Sequence, residues 1–136
     1  MRVLYLEDDE DTSDLVRFMF ALSDIDVVIV KTIDQAWKLA GTQTFDLYLL
    51  DGLLNGKKTL DLCRDLHEYA PYTPILFYSA LAYLEDIQKG MAAGANGYLV
   101  KPYFGDLSET VMETVKEAES ISVRSESRRK TLSSII

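Results

Sequence analysis

The chain predicts an α/β fold, a parallel five-stranded sheet doubly wound with helices, and three observations carry that expectation. Short apolar runs bounded by turn residues recur at positions 3–6, 47–50, 75–78 and 98–100. Stretches with apolar residues at helical spacing lie between them. Each run also ends on a residue with chemistry to offer: Glu7-Asp8-Asp9, Asp51, Ser79 and Lys101-Pro102. In a parallel sheet all carboxyl-terminal strand ends emerge on one edge, where such folds bind ligands. These residues are therefore expected to converge.

The elements follow in order. The first strand is expected over residues 2–6, with a helix from around residue 11, where Leu15, Phe18, Met19 and Leu22 lie at helical spacing. Glu10 and Asp11 suit the positive amino terminus of that helix. Residues 26–30 form a short, β-branched second strand. A second helix spans 33–39 and stops at Gly41, with Trp37 as one of its packing residues. The third strand, 47–50, leads to a helix over 59–69 whose apolar face is Leu60, Cys63 and Leu66, closed by Pro71. Residues 75–78 make the fourth strand, before a helix over 84–93 that ends at Gly94. The fifth strand, 98–101, precedes a helix over 106–120. This alternation predicts helices on both faces of the sheet and right-handed crossovers. Residues 1–120 read as one domain. Residues 121–136 turn serine-rich and basic, with Arg128-Arg129-Lys130, and read as a polar C-terminal tail or linker.

Composition removes several function classes. At 136 residues, 48% hydrophobic and 26% charged, the chain is an ordinary globular domain able to bury a core. No run approaches a membrane span. Residue 3 already lies in a strand, so no signal peptide is expected. One cysteine, Cys63, allows no internal disulfide, and the expected compartment is the cytoplasm. A net charge of −8 argues against direct nucleic-acid binding. Cys63 and His67 share one helix without further ligands, which supports neither a zinc site nor a Cys–His nucleophile. His67 reads as a solvated surface residue.

The convergent residues suit one chemistry. Acids gather a hard cation, and Mg²⁺ takes oxygen ligands from one or two carboxylates together with phosphate and water. A carboxylate that attacks a phosphoryl group approaches an anionic centre, and a cation with a lysine offsets that repulsion. Without the cation, Asp8 and Asp51 repel each other and one tends to take up a proton.

Residues 6–10, Leu50-Asp51, Tyr78-Ser79-Ala80 and the stretch 94–103 together resemble the receiver domain of response regulators in two-component signalling, of the chemotaxis-regulator-like kind. The resemblance covers residues 2–119. It implies a flavodoxin-like fold with strand order 2-1-3-4-5 and a phospho-acceptor at Asp51. It also implies Mg²⁺ held by Asp8, by Glu7 through water, by Asp51 and by the Leu53 carbonyl. Ser79 would bond the phosphoryl group, Lys101 would be its cationic partner, and Tyr98 would be the aromatic that changes rotamer. A cis bond before Pro102 is implied too. Glu7-Asp8 directly follows the first strand and is favoured over Asp8-Asp9 as the acidic pair. The phosphodonor would be a histidine kinase or phosphotransfer protein, and a homodimer would form through the fourth helix, fifth strand and fifth helix. The chain would be a stand-alone receiver or one excised from a larger protein.

One departure stands out. Asn55 occupies the position where the family commonly has proline, and Asn55-Gly56 favours a tight turn with positive φ, so the loop after Asp51 is expected to be reshaped. This leaves an alternative reading, a degenerate receiver that acts as a phosphorylation-independent interaction module. An aspartyl-nucleophile phosphatase is excluded, because Leu53 stands where its second aspartate is needed.

Overall fold

The computed structural model describes residues 1–103 and 105–135, with side chains as far as Arg124. Five parallel strands form the sheet: β1 (Arg2–Leu6), β2 (Asp26–Val30), β3 (Leu47–Leu50), β6 (Ile75–Ser79) and β7 (Gly97–Val100), in the order β2-β1-β3-β6-β7. Between β3 and the following helix, β4 (Leu53–Leu54) and β5 (Lys57–Lys58) make a separate antiparallel hairpin. Counting the parallel strands alone, the order is the expected 2-1-3-4-5. The helices are α1 (Glu10–Leu22), α2 (Ile33–Thr42), α3 (Leu60–Tyr69), α4 (Leu84–Ala92) and α5 (Leu107–Ile135).

Strand alternation divides the apolar residues between two cores. Leu4, Leu6, Tyr48, Leu50 and Phe77 face Ala36, Ala40, Leu62, Cys63, Leu66 and Ala93, which belong to the side of α2, α3 and α4. Val3, Tyr5, Leu47, Leu49, Leu76 and Tyr78 face Val16, Phe20, Leu107, Val111 and Val115, which belong to α1 and α5. The sheet is thus buried on both sides, which is why its strands are continuous apolar runs rather than alternating ones.

Local signals set the element ends. Asp9 caps α1, its carboxylate accepting from the Thr12 amide at 2.9 Å, so the helix starts one residue earlier than expected. Thr32 caps α2 in the same way, and that helix runs past Gly41 to Thr42. Asn55 and Gly56 both have positive φ, 49° and 78°. A two-residue turn with that geometry matches the right-handed twist of its strands, which is why Asn-Gly makes a hairpin of this loop. The Lys101–Pro102 bond is cis.

The expected inner face of α1 is corrected. Leu15, Phe18 and Leu22 are 56%, 63% and 73% exposed, and the buried side is Ser13, Val16 and Phe20, with Met19 packed beside them. A stripe at equal helical spacing that contains a serine packs inward, because that side faces β2 and α5. Trp37 packs at the surface. It is exposed on α2, its ring edge against Tyr69 at 5.8 Å, rather than part of the core. His67 is exposed, its ring lying over Gly94. The last helix extends to Ile135, well beyond the expected residue 120. The side chains of Arg128, Arg129 and Lys130 lie outside the described residues. Among the described residues no helix is long and apolar enough to cross a membrane.

Candidate functional site

Four neighbouring strands deliver the site. β1 ends before Glu7-Asp8, β3 before Asp51, β7 before Lys101, and β6 ends at Ser79. Glu7, Asp8 and Asp51 each offer a carboxylate oxygen, and all three oxygens lie within 4.8 Å of one another. Glu7 and Asp51 are 1% and 8% exposed. The Lys101 ammonium forms a close ion pair with Glu7 Oε1 and stands 3.5 Å from Asp51 Oδ2. It also sits 5.0 Å above the Tyr78 ring, a favourable place for a cation.

Crowding of acids shows in their protonation. Burial drives the Asp51 carboxyl up from 3.8 to about 6, with the hydrogen-bonded Glu7 adding to the rise and Lys101 opposing it. Burial pushes Glu7 upward as well, but its bonds with Asp51, Lys101 and Tyr5 outweigh it and hold Glu7 below its ordinary value. Asp51 and Glu7 therefore titrate as a pair, with Asp51 pushed up and Glu7 held down. An oxygen-only donor set whose members resist being charged together suits a hard divalent cation, and Mg²⁺ fits it. Asp9 is bound to the cap of α1 and also donates its amide to Glu7 Oε2 at 3.4 Å.

The backbone around Asp51 is tied down. Its Oδ1 accepts from the Leu53 amide at 3.3 Å, and the buried Thr59 hydroxyl donates to its carbonyl at 2.6 Å. The hairpin is anchored across the site, where Lys58 pairs with Asp86 of α4 at 3.7 Å. On the other side, Ser79 Oγ accepts from the Leu81 amide at 3.2 Å, and the Tyr98 hydroxyl donates to the Leu81 carbonyl at 2.7 Å. The Tyr98 ring packs on Phe77, centroids 5.3 Å apart. Gly52 keeps the floor between them open, since a Cβ there would meet Ser79 Oγ at 2.7 Å.

All seven residues singled out in the sequence lie around this edge: Glu7, Asp8, Asp51, Leu53, Ser79, Tyr98 and Lys101. Sequence reasoning missed Tyr5 and Tyr78 beneath the charged pair, Thr59 behind Asp51, and the Lys58–Asp86 bridge. Period-two spacing could have found Tyr5, which shares a strand face with Glu7. Nothing local marks Lys58 or Thr59.

Fold and site define a flavodoxin-like α/β domain with an acidic, lysine-bearing pocket on its carboxyl edge. The family model described as the response regulator receiver domain matches residues 3–113, and the chain belongs to that family. It is 32% identical over 105 residues to the response regulator RppA of Synechocystis, covering 76% of this chain and 45% of that protein. It is 28% identical over 133 residues to the nisin biosynthesis regulatory protein NisR of Lactococcus lactis, covering 94% and 58%. The chain thus spans about half the length of these curated relatives. Among solved structures it resembles a CheY-like receiver domain protein from Methanospirillum hungatei, with a TM-score of 0.82 and 26% identity over 88% of this chain and 96% of that one.

Proposed function

We propose that this receiver domain of a two-component response regulator takes a phosphoryl group onto Asp51 with Mg²⁺ and thereby switches a protein-interaction surface. The observation that carries the reading is the close approach of the Glu7, Asp8 and Asp51 oxygens, with Lys101 beside the acceptor. Asp8, Asp51 and the Leu53 carbonyl would hold Mg²⁺, with Glu7 reaching it through water. Bound there, the cation would neutralise charge on the acceptor and on the phosphoryl oxygens. An Asp51 carboxylate oxygen attacks phosphorus as the P–N bond of a phosphohistidine donor breaks, and the imidazole leaves with the electron pair. Lys101 meets the equatorial charge, and the Ser79 hydroxyl, whose oxygen accepts from the Leu81 amide, has its proton to donate to a phosphoryl oxygen.

The donor would be a histidine kinase or phosphotransfer protein. The exposed Leu15 and Phe18 on α1 supply apolar surface for it. Tyr83 at the cap of α4, Leu84 and Met91 of α4, and Met112 of α5 are exposed and supply surface for an output partner or a second copy.

Treatment with acetyl phosphate and Mg²⁺ should add one phosphoryl group, read by intact mass, and Asp51→Asn should add none. Equal mass gain in the variant sinks the assignment. No gain in either protein favours the phosphorylation-independent module.

A further inference from the structure

Tyr5 lies wholly inside the core between the sheet and α1, yet it is a tyrosine. Packing there needs only a ring, as Phe20 in the same cluster shows. A phenol hydroxyl in apolar surroundings is unfavourable unless it is bonded. Its one bond goes to Glu7 Oε1, at 3.1 Å. Strand alternation explains the meeting, because residues 5 and 7 point to the same face and β1 ends between them.

Glu7 Oε1 thus has two donors, the Tyr5 hydroxyl and the Lys101 ammonium. Its other oxygen accepts the long bond from the Asp9 amide, at 3.4 Å, and the shared bond with Asp51 is lost once Asp51 carries a phosphoryl group in place of its proton. Lys101 is shared, since it also faces Asp51 at 3.5 Å. A phosphoryl group on Asp51 brings more negative charge to that side and draws the ammonium toward it. Glu7 then loses its direct ammonium partner while remaining 1% exposed, and Mg²⁺ would reach it only through water. A buried carboxylate without a strong donor is costly. The hydroxyl is the donor that cannot leave, since its ring is locked in the core and braced by Tyr78 at 6.5 Å.

Building on the phosphoacceptor reading above, we propose that Tyr5 is a positioning residue that holds Glu7 while Lys101 turns from Glu7 to the phosphoryl group on Asp51. It touches neither substrate nor metal. It makes release of the lysine cheap and keeps Glu7 aimed at the acidic pocket.

The test starts without metal or phosphate. Lys101→Met imitates departure of the lysine, and urea unfolding in EDTA near neutral pH compares the native protein, Tyr5→Phe, Lys101→Met and the double variant. With Lys101 present, the loss of one of two donors should be mild. In the Lys101→Met background, Tyr5→Phe should lower the folding equilibrium constant about tenfold more than in the native protein. A double variant that fails to fold while both single variants fold is the extreme of the same coupling. Equal losses in the two backgrounds mean a packing role and overturn the proposal. If Tyr5→Phe alone is too unstable to measure, Glu7→Gln should restore it, because a neutral amide needs no charged compensation. Failure of that rescue also overturns the proposal.

The second readout is the rate of phosphorylation by acetyl phosphate. Tyr5→Phe should slow the rate at saturating Mg²⁺ about fivefold or more, with the Mg²⁺ midpoint moving less than about twofold. A rate unchanged from the native protein contradicts the proposal. A native protein that takes no phosphate defeats the function reading instead, and the metal-free cycle still reports the Tyr5–Glu7–Lys101 coupling.

Discussion

Asp51→Asn should make the metal-free protein more stable near neutral pH, and the structure sets the size of the gain. The residue is 8% exposed, and burial with Glu7 at its side lifts the carboxyl from 3.8 to about 6. That is about two units, and at about 1.4 kcal/mol per unit the folded state carries a burden on the order of 3 kcal/mol. The folded protein holds this proton more tightly than the unfolded chain does. The burden is therefore full above about pH 6, shrinks as pH falls toward 3.8, and is gone below it. Asparagine carries no charge at any pH and escapes it. Glu7 works in the opposite direction, since bonds with Asp51, Lys101 and Tyr5 hold it low, and in the variant the asparagine amide can still donate to it. Urea unfolding in EDTA from about pH 4 to about pH 8 reads the difference. The two stability curves should meet at the acid end and part by 2–3 kcal/mol, an order-of-magnitude figure, at the neutral end. Added Mg²⁺ should stabilise the native protein more than the variant and narrow the gap. A gap that is constant with pH, or that widens toward acid, refutes the reasoning.

Three further outcomes are expected. Asp8→Ala should abolish Mg²⁺ binding measured by tryptophan or tyrosine fluorescence, whereas Asp9→Ala should keep it and lose about 1 kcal/mol of stability with its helix cap. The phosphorylated form should decay slowly, since Leu53 and Leu81 cannot orient an attacking water, and a Leu53→Asn, Leu81→Glu variant timed by intact mass should decay faster. Gly94→Ala should lower the melting temperature by several degrees, because the residue has a φ of 113° and a Cβ would lie 2.6 Å from the His67 ring.

The fold was legible because its strands announce themselves. Buried on both faces, β1, β3 and β6 are unbroken apolar runs, and each stops at a polar residue where the chain leaves the sheet. The acids, hydroxyl and lysine could be placed on one edge by that logic alone. Side-chain direction was harder to read. α1 carries apolar residues on both sides, and the stripe of Leu15, Phe18 and Leu22 faces outward, so hydrophobicity did not single out the inner side of the helix. Asn55-Gly56 revealed a turn, but not that the turn closes a hairpin pinned to α4 by Lys58 and Asp86. That bridge joins residues on separate elements, and no local pattern encodes it. Tyr5 was hidden differently, as one more aromatic in an apolar run.

The bond from the Tyr98 hydroxyl to the Leu81 carbonyl bears on how such a switch keeps time with its partners. It tucks the Tyr98 side chain of β7 against the backbone of the loop after β6. On the reading proposed above, modification of Asp51 would change the occupancy of this arrangement. Linkage makes the effect mutual: a partner that prefers the tucked Tyr98 also favours the phosphorylated form, by the same factor. Output would then feed back on input, with the listener helping to set how often the message is sent.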